Sequence, residues 1–273
     1  MNIIDDLKIL LNDLKNQFND ITPEILNEKT IYGNKEYVLK TDIYSQNYLV
    51  EIAKKYHPNS EIISEELNNY HDLDNYKGST VIMDPLDGTH NYLYGLPMWG
   101  LSYTVFSESK VAIESYIGLP MINILISFSN NQITLHSIDK ESSSKKITIN
   151  TTNQILSKQM ISFDNQFYKD PLRMKKNFNL LVDNTFTTRI SGSAVFDIAM
   201  IVIGKLSARV WHNTEVYDIA PAFAFFKDAG LLINMNTGRK ASLLDKSIIA
   251  TTDMSLYYRL DEIGFIFKAI DYD

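Results

Sequence analysis

The apolar run Val81-Ile82-Met83 leads without a break into Asp84-Pro85-Leu86-Asp87-Gly88-Thr89-His90-Asn91-Tyr92. Residues 79–83 predict a short buried strand. That strand delivers two carboxylates, a glycine and a threonine at its C-terminal end, where α/β proteins build their active sites. Such a segment commits the chain to a sheet with helices packed on it and marks one end of the sheet as a site.

The two aspartates stand three apart, with Pro85 and Leu86 between them. This spacing departs from that of aspartate-nucleophile phosphatases of the haloacid dehalogenase type, whose two aspartates stand closer before Gly-Thr. Proline fixes its own backbone angle and biases the residue before it toward an extended conformation. The turn is therefore stiff enough to aim both carboxylates and a backbone carbonyl into one volume. Hard oxygen ligands without histidine or cysteine suit Mg²⁺, which keeps several of its own waters. The ordinary alternative is an Asp-Gly turn with incidental acids, since Asp, Pro and Gly are common turn residues.

Acids elsewhere weigh against that alternative. Glu61-Ile62-Ile63-Ser64 predicts a second short strand ending in Glu65-Glu66. Side chains alternate along an extended segment, so one of the pair points into the same cleft: Glu65 is the candidate ligand and Glu66 is left for an outer role. Downstream, residues 211–222 lead into an apolar helix expected to run to about Gly230, with Asp218 at its start. A carboxylate there also serves as a helix cap, so Asp218 by itself reads either way. Asp42, in Lys40-Thr41-Asp42 before a helical pattern, is equally open between a cap and a catalytic group.

In this order, Glu65-Glu66, Asp84 to Tyr92, Gly192-Ser193-Ala194 and Tyr217-Asp218-Ile219-Ala220 resemble the inositol monophosphatase family of metal-dependent, lithium-sensitive sugar phosphatases. The resemblance spans nearly the whole chain. It implies an α+β or α/β fold, a layered αβαβα sandwich with two lobes around one metal cleft. It further implies Glu65, Asp84, Asp87, Asp218 and the Leu86 carbonyl as ligands of two to three Mg²⁺ ions. Asp42 and Thr89, with Glu65, are implied to orient or activate the attacking water. Leu86, Asp87, Gly88, Thr89, Gly192, Ser193, Ala194 and Asp218 are implied on the substrate side, and a homodimer is expected from the same resemblance.

The chemistry of the residues agrees. A phosphate monoester carries about two negative charges near neutral pH, so bare carboxylates would repel it unless cations more than offset them. Bound Mg²⁺ ions lower the pKa of a water and stabilise the departing alkoxide, which requires no covalent intermediate. Asp42 would accept a hydrogen bond from Thr89 or from the water. Gly88 allows close backbone approach, and its N–H and that of Thr89 face phosphate oxygens if a short helix begins there. Gly192-Ser193-Ala194 opens the helical pattern Val195, Ile198, Ala199, Val202, and a tight helix start chosen for packing explains it equally well.

One position departs from the family. Inositol-hydrolysing relatives carry an acid seven residues before the last metal aspartate, where it contacts a substrate hydroxyl; here Trp211 stands there. An indole accepts no hydrogen bond from a polyol, although its face and N–H pack against a sugar or another ring. Trp211 is therefore a candidate substrate contact or a packing residue at the cleft edge, and the inositol assignment is open. The expected reaction is Mg²⁺-dependent hydrolysis of a small phosphorylated polyol or sugar. Fructose 1,6-bisphosphate, histidinol phosphate and 3′-phosphoadenosine 5′-phosphate are the rival substrates. A non-catalytic metal- or phosphate-binding regulator is the rival of a different class.

The chain has no cysteine, which removes disulfide, zinc-thiolate and cysteine-nucleophile chemistry together. Its formal net charge of -7 and the lack of basic runs interleaved with aromatics argue against nucleic acid as the primary partner. No apolar stretch is long enough to cross a bilayer, and the N-terminal residues have helical periodicity and acids rather than a signal-peptide layout, so a cytoplasmic enzyme is expected. Residues 1–145 are expected to form an N-terminal α+β lobe with most metal ligands. Residues 146–273 are expected to form a C-terminal α/β lobe with the substrate-side residues and Asp218. Two amphipathic helices are expected before residue 57, separated by a polar loop from Asn27 to Lys40 lying over the metals. An antiparallel meander is expected from Leu101 to Ile138, and a linker from Asp139 to Lys146.

Overall fold

The computed structural model describes residues 2–20, 22–31, 34–67, 69, 77–139, 143–149, 155–226 and 232–265. The chain divides into two compact units. The first is Met1–Ile147 with two short returns, Gly192–Phe196 and Val216–Phe225; the second is Thr148–Ser191, Asp197–Glu215 and Phe226–Asp273. A single cut near residue 145 does not separate them, because Gly192-Ser193-Ala194 and Asp218 fold with the first unit.

Helix α1 (Ile3–Asp20) opens the first unit. Leu7, Leu10, Leu11 and Leu14 recur at helical spacing and are all completely buried, which is why this stretch holds as a helix against the sheet. Strands β1 (Ile25–Ile31) and β2 (Asn34–Leu39) follow as an antiparallel hairpin, pairing Glu28 with Tyr37. The expected loop at Asn27 to Lys40 is thus a hairpin. Ile25 and Leu26 are exposed and most of its described side chains face solvent. Only the end of β2 reaches the core, through Leu39 with Tyr37 packed against it, so the hairpin as a whole carries no apolar alternation for periodicity to find.

Helix α2 (Lys40–Tyr56) then leads to β3 (Glu61–Ser64), β4 (Thr80–Asp87), the one-turn helix α3 (Thr89–Leu93), β5 (Gly100–Phe106), β6 (Ala112–Leu119), β7 (Ile124–Ser129), β8 (Gln132–Ser137) and β9 (Ser144–Ile147). Strands β3 to β9 form one seven-stranded sheet in sequential order. β3 runs parallel to β4, and every later pair is antiparallel. The expected linker contributes its last residues to edge strand β9, whose exposed Lys145 and Lys146 suit an edge that must not recruit another strand; residues 140–142 lie outside the described residues.

Alternation along the strands gives this sheet two different faces. Val81, Met83, Leu101, Tyr103, Val105 and Leu125 pack with the leucines of α1 and α2 in one core. The opposite face carries Ile82, Asp84, Ser102, Thr104, Ser115 and Phe128, which follow one another across the ladder.

In the second unit, β10 (Met160–Phe163), helix α4 (Pro171–Asn184) and β11 (Thr187–Arg189) precede α5 (Ala194–Val202), which starts in the first unit. Strand β12 (Ala208–Trp211) follows, and then the chain returns to the first unit as α6 (Val216–Phe225). Helix α6 lies on the second face of the seven-stranded sheet, against β4, β5 and β6, with the Phe225 ring 6.3 Å from Phe128. Strands β13 (Leu232–Asn234) and β14 (Ile248–Thr251) and helix α7 (Met254–Glu262) complete the second unit. Its five-stranded sheet has the order β11-β10-β12-β14-β13 and is mixed: β10 is parallel to both neighbours, and β14 is antiparallel to both of its own. The chain is therefore an α+β protein, with helices layered on mixed sheets.

Candidate metal centre

The geometry of the site begins with a fault in the β4–β5 ladder. Asp84 pairs with Ser102 and Asp87 with Gly100, so Pro85 and Leu86 together face Leu101 alone. That is a β-bulge, and proline suits it because it has no N–H to give to the ladder. In a regular strand, residues three apart point to opposite faces. The extra residue cancels that half-turn: Asp84 and Asp87 emerge on the same face, and Leu86 goes into the core with the helix leucines. Ser45 of α2 donates its hydroxyl hydrogen to the Pro85 carbonyl at 2.6 Å and pins the bulge from behind. The Leu86 N–H donates to Asp84 Oδ1 at 3.2 Å.

Helix α6 packs on that same face and supplies the third acid. Carboxylate oxygens of Asp84, Asp87 and Asp218 lie within 4.8 Å of one another. Asp218 is in the first turn of α6, where the helix N-terminus favours a negative charge, so its place at the helix start and its convergence with the other acids coexist. The expected run of α6 to Gly230 is cut short, since the helix ends at Phe225 and residues 227–231 lie outside the described residues.

Asp87 is held from a further element. Its Oδ2 accepts from the Ser193 hydroxyl at 2.5 Å and from the Val195 N–H at 2.6 Å, so the N-terminus of α5 is anchored on it. Ser193 also caps α5, accepting from the Phe196 N–H at 3.1 Å. Gly192, just before it, has a φ of 77°, and Ala194 begins the helix. Gly88 is required twice over: its φ of +86° favours glycine, and a Cβ there would meet the Met98 carbonyl oxygen at 2.9 Å and Ser193 Cβ at 3.2 Å. Helix α3 begins at Thr89, directly after it.

Thr89 and Asp42 come together although 47 residues separate them. The Thr89 hydroxyl lies 3.3 Å from Asp42 Oδ1 and 3.1 Å from the Leu86 carbonyl oxygen, one donor between two acceptors. Asp42 sits in the first turn of α2, and its other oxygen accepts from the Leu39 N–H at 2.6 Å. The helix-start and catalytic positions expected for it are therefore compatible. Glu65 stands just past β3 and is half-buried. Gln46 Oε1 of α2 accepts the Ser64 hydroxyl at 2.8 Å, tying the end of β3 to the helix that also holds the bulge.

These acids are poorly solvated and crowd one another. Burial, then the charges of Glu66, Asp218, Asp42 and Asp87, hold Glu65 well above the usual carboxylate range. Burial, then Glu65, Asp87, Asp218 and Asp42, raise Asp84 in the same way. Asp42 is pushed up to about 8, by burial first and by Glu66, against the opposing hydrogen bonds from Leu39 and Thr89. The strongest charge interactions of Glu65 and Asp84 are all with other acids. A set of hard oxygens in this condition fits a divalent cation, which supplies the missing positive charge.

Trp211 belongs to the second unit, at the end of β12. It is 2% exposed, with the Arg209 guanidinium carbon 5.1 Å from its ring centroid. Arg209 is itself ion-paired with buried Asp197, whose carboxylate also accepts from Ser162 and Ser191. The residues that sequence patterns did not single out are Ser45, Gln46 and the Asp87 partner role of Ser193. Ser45 and Gln46 are uncharged polar residues inside a helix with no local motif to mark them, and the Gly192-Ser193-Ala194 pattern does not say which carboxylate Ser193 meets.

A model of the inositol monophosphatase family matches residues 7–263. The chain belongs to the inositol monophosphatase family. A fructose-1,6-bisphosphatase/inositol-1-monophosphatase of Thermotoga maritima is 24% identical over 222 residues, covering 80% of this chain and 78% of the relative. The Nus factor SuhB of Haemophilus influenzae is 25% identical over 240 residues, covering 86% and 85%. Among solved structures, an IMPase/NADP phosphatase complexed with Mg²⁺ and phosphate superposes with a TM-score of 0.73 at 19% identity, over 94% of this chain and 91% of the other. That likeness establishes the fold. Members of the family are phosphatases. Among the described residues no helix is long and apolar enough to cross a membrane.

Proposed function

We propose that this inositol monophosphatase family member is a Mg²⁺-dependent phosphomonoesterase that hydrolyses a small phosphorylated polyol or sugar by direct attack of water. The observation that carries the proposal is the convergence of Asp84, Asp87 and Asp218 within 4.8 Å, next to a Thr89 hydroxyl held between Asp42 and the Leu86 carbonyl. Glu65, Asp84, Asp87, Asp218 and the Leu86 carbonyl would hold two to three ions. Bound Mg²⁺ supplies a water of lowered pKa and positive charge for the phosphate and the departing alkoxide. Thr89 gives its hydrogen to Asp42, which leaves its oxygen lone pairs to receive and aim a water hydrogen; Asp42 is the terminal acceptor of that relay.

Gly88 lets the backbone at the start of α3 approach a phosphate, and Thr89 borders the same volume. Ser193, with Gly192 and Ala194, contributes on the substrate side mainly by fixing Asp87, since its hydroxyl is committed to that carboxylate. Trp211 stands where inositol-hydrolysing relatives carry an acid and offers a polyol no acceptor, so the substrate is sought beyond inositol phosphates. The enzyme is proposed to be lithium-sensitive and homodimeric, as the family resemblance implies, and cytoplasmic, with a small phosphorylated metabolite as its primary partner; its net charge of -7 speaks against nucleic acid in that role.

The Thermotoga relative is named for two substrates, so fructose 1,6-bisphosphate belongs in the test beside inositol 1-phosphate. Purified protein with Mg²⁺ is assayed for phosphate release from both, and from histidinol phosphate, 3′-phosphoadenosine 5′-phosphate and a wider sugar-phosphate panel. Turnover of at least one compound, abolished by a chelator and restored by Mg²⁺, is expected. No release across the panel would favour a metal- or phosphate-binding regulator that keeps the fold.

A further inference from the structure

We propose that Ser102 is a positioning residue for the metal centre: its hydroxyl donates to Asp84 and fixes the direction in which that carboxylate meets a cation. The assignment deepens the metal-centre reading and rests on it.

Ser102 is directly opposite Asp84 in the β4–β5 ladder. Residues opposite each other in an antiparallel pair share a face and have Cβ atoms about 4.5–5.5 Å apart, within reach of a hydroxyl and a carboxylate. The face in question is the one covered by α6, which carries Asp218. Ser102 is completely buried, and its hydroxyl has no hydrogen-bond partner among the described residues. The next hydroxyls along the same face behave differently, since Thr104 and Ser115 are bonded to each other at 2.9 Å.

A buried hydroxyl without a partner costs stability, and alanine would fill the same space without that cost. A serine kept there is explained by a partner it meets in another state of the site. Asp84 is the acceptor within reach across the ladder. Its Oδ1 already takes the Leu86 N–H, so a second donor from Ser102 to Oδ2 would pin the carboxylate from both ends. A carboxylate that holds a cation is commonly oriented by donors to its remaining lone pairs, and that is the role the register gives to Ser102.

The test measures Mg²⁺ binding by calorimetry and by the Mg²⁺-dependent rise in Tm, on the full chain with Mg²⁺ alone as the probe. Ser102→Ala is expected to keep or slightly raise the Tm of the metal-free protein and to weaken Mg²⁺ binding by about tenfold. Ser102→Thr, which keeps a hydroxyl, should restore binding to within about threefold of the parent, and Thr104→Ala should leave it unchanged. A purely structural serine would instead lower the metal-free Tm and leave Mg²⁺ affinity alone. If the parent binds Mg²⁺ and Ser102→Ala binds it equally well, the role of Ser102 is overturned while the metal centre stands. If the parent itself does not bind Mg²⁺, both are overturned.

Discussion

Stripped of metal, the protein should lose stability as the solution becomes alkaline, and Asp42 makes the size of the loss calculable. Its carboxyl titrates near 3.8 in an unfolded chain and about 8 in the fold. A carboxyl whose folded pKa is raised stabilises the fold fully below its unfolded pKa, and that contribution is lost as pH rises through the folded value. Between pH 7 and 9 the unfolded chain is already ionised at this position while folded Asp42 gives up its proton. The corresponding loss is about 1.4 kcal/mol, or roughly 3–6 °C in Tm for a chain of this size. Glu65 and Asp84, also raised, act in the same direction. The window avoids His57, His136 and the buried His212, whose lowered values give the opposite slope at more acidic pH. The assay is thermal unfolding in chelator at pH 7, 8 and 9, for the parent and for Asp42→Asn. The parent should fall through the window, Asp42→Asn should fall by about 1.4 kcal/mol less, and saturating Mg²⁺ should flatten the parent by pairing with the ionised acids. A metal-free Tm that is level or rises from pH 7 to 9, or an Asp42→Asn slope equal to the parent's, would refute the account of a buried, uncompensated acid cluster.

Asp87→Asn should lower turnover by at least about a hundredfold, as expected when a group in the reacting constellation is lost or displaced. Its metal-free Tm should stay within a few degrees of the parent, because the amide oxygen still accepts from Ser193 and Val195 while one repelling charge is gone; parallel kinetics and thermal unfolding check both statements. Ser45→Ala strands the buried Pro85 carbonyl and should cost about 1–3 kcal/mol, measured by denaturant unfolding. Because the bulge then loses its rear support, kcat should fall as well; unchanged stability and unchanged kcat would remove Ser45 from the site's scaffold.

Much of the framework was legible before any coordinates. The leucine spacing of α1, the apolar run of β4, the meander from β5 to β8 and the order of the acidic motifs are local patterns, and local patterns survive in one dimension. The hairpin of β1 and β2 was not legible, because a ribbon whose first strand is largely exposed and whose core contact comes only near the end of its second leaves no periodic mark. Nor was the membership of α6 in the first unit, since a helix of Val, Ile, Ala and Phe says that it is buried but not against which sheet.

By itself, the sequence determined which atoms are available: hard oxygens at Glu65, Asp84, Asp87 and Asp218, a hydroxyl at Thr89, no thiol anywhere, and a proline between the two central aspartates. Only the tertiary structure decided that these atoms meet. Asp84 and Asp87 share a face because the ladder slips by one residue at Pro85 and Leu86. Asp218 joins them because the chain leaves the first unit after α5 begins and returns to lay α6 across β4, β5 and β6. Asp42 reaches Thr89 because α2 is clamped to the bulge through Ser45 and to the end of β3 through Gln46. Residue types and local periods are written along the chain, whereas convergence depends on register, on a bulge and on which face a distant helix covers, and those are settled only when the sheet is assembled.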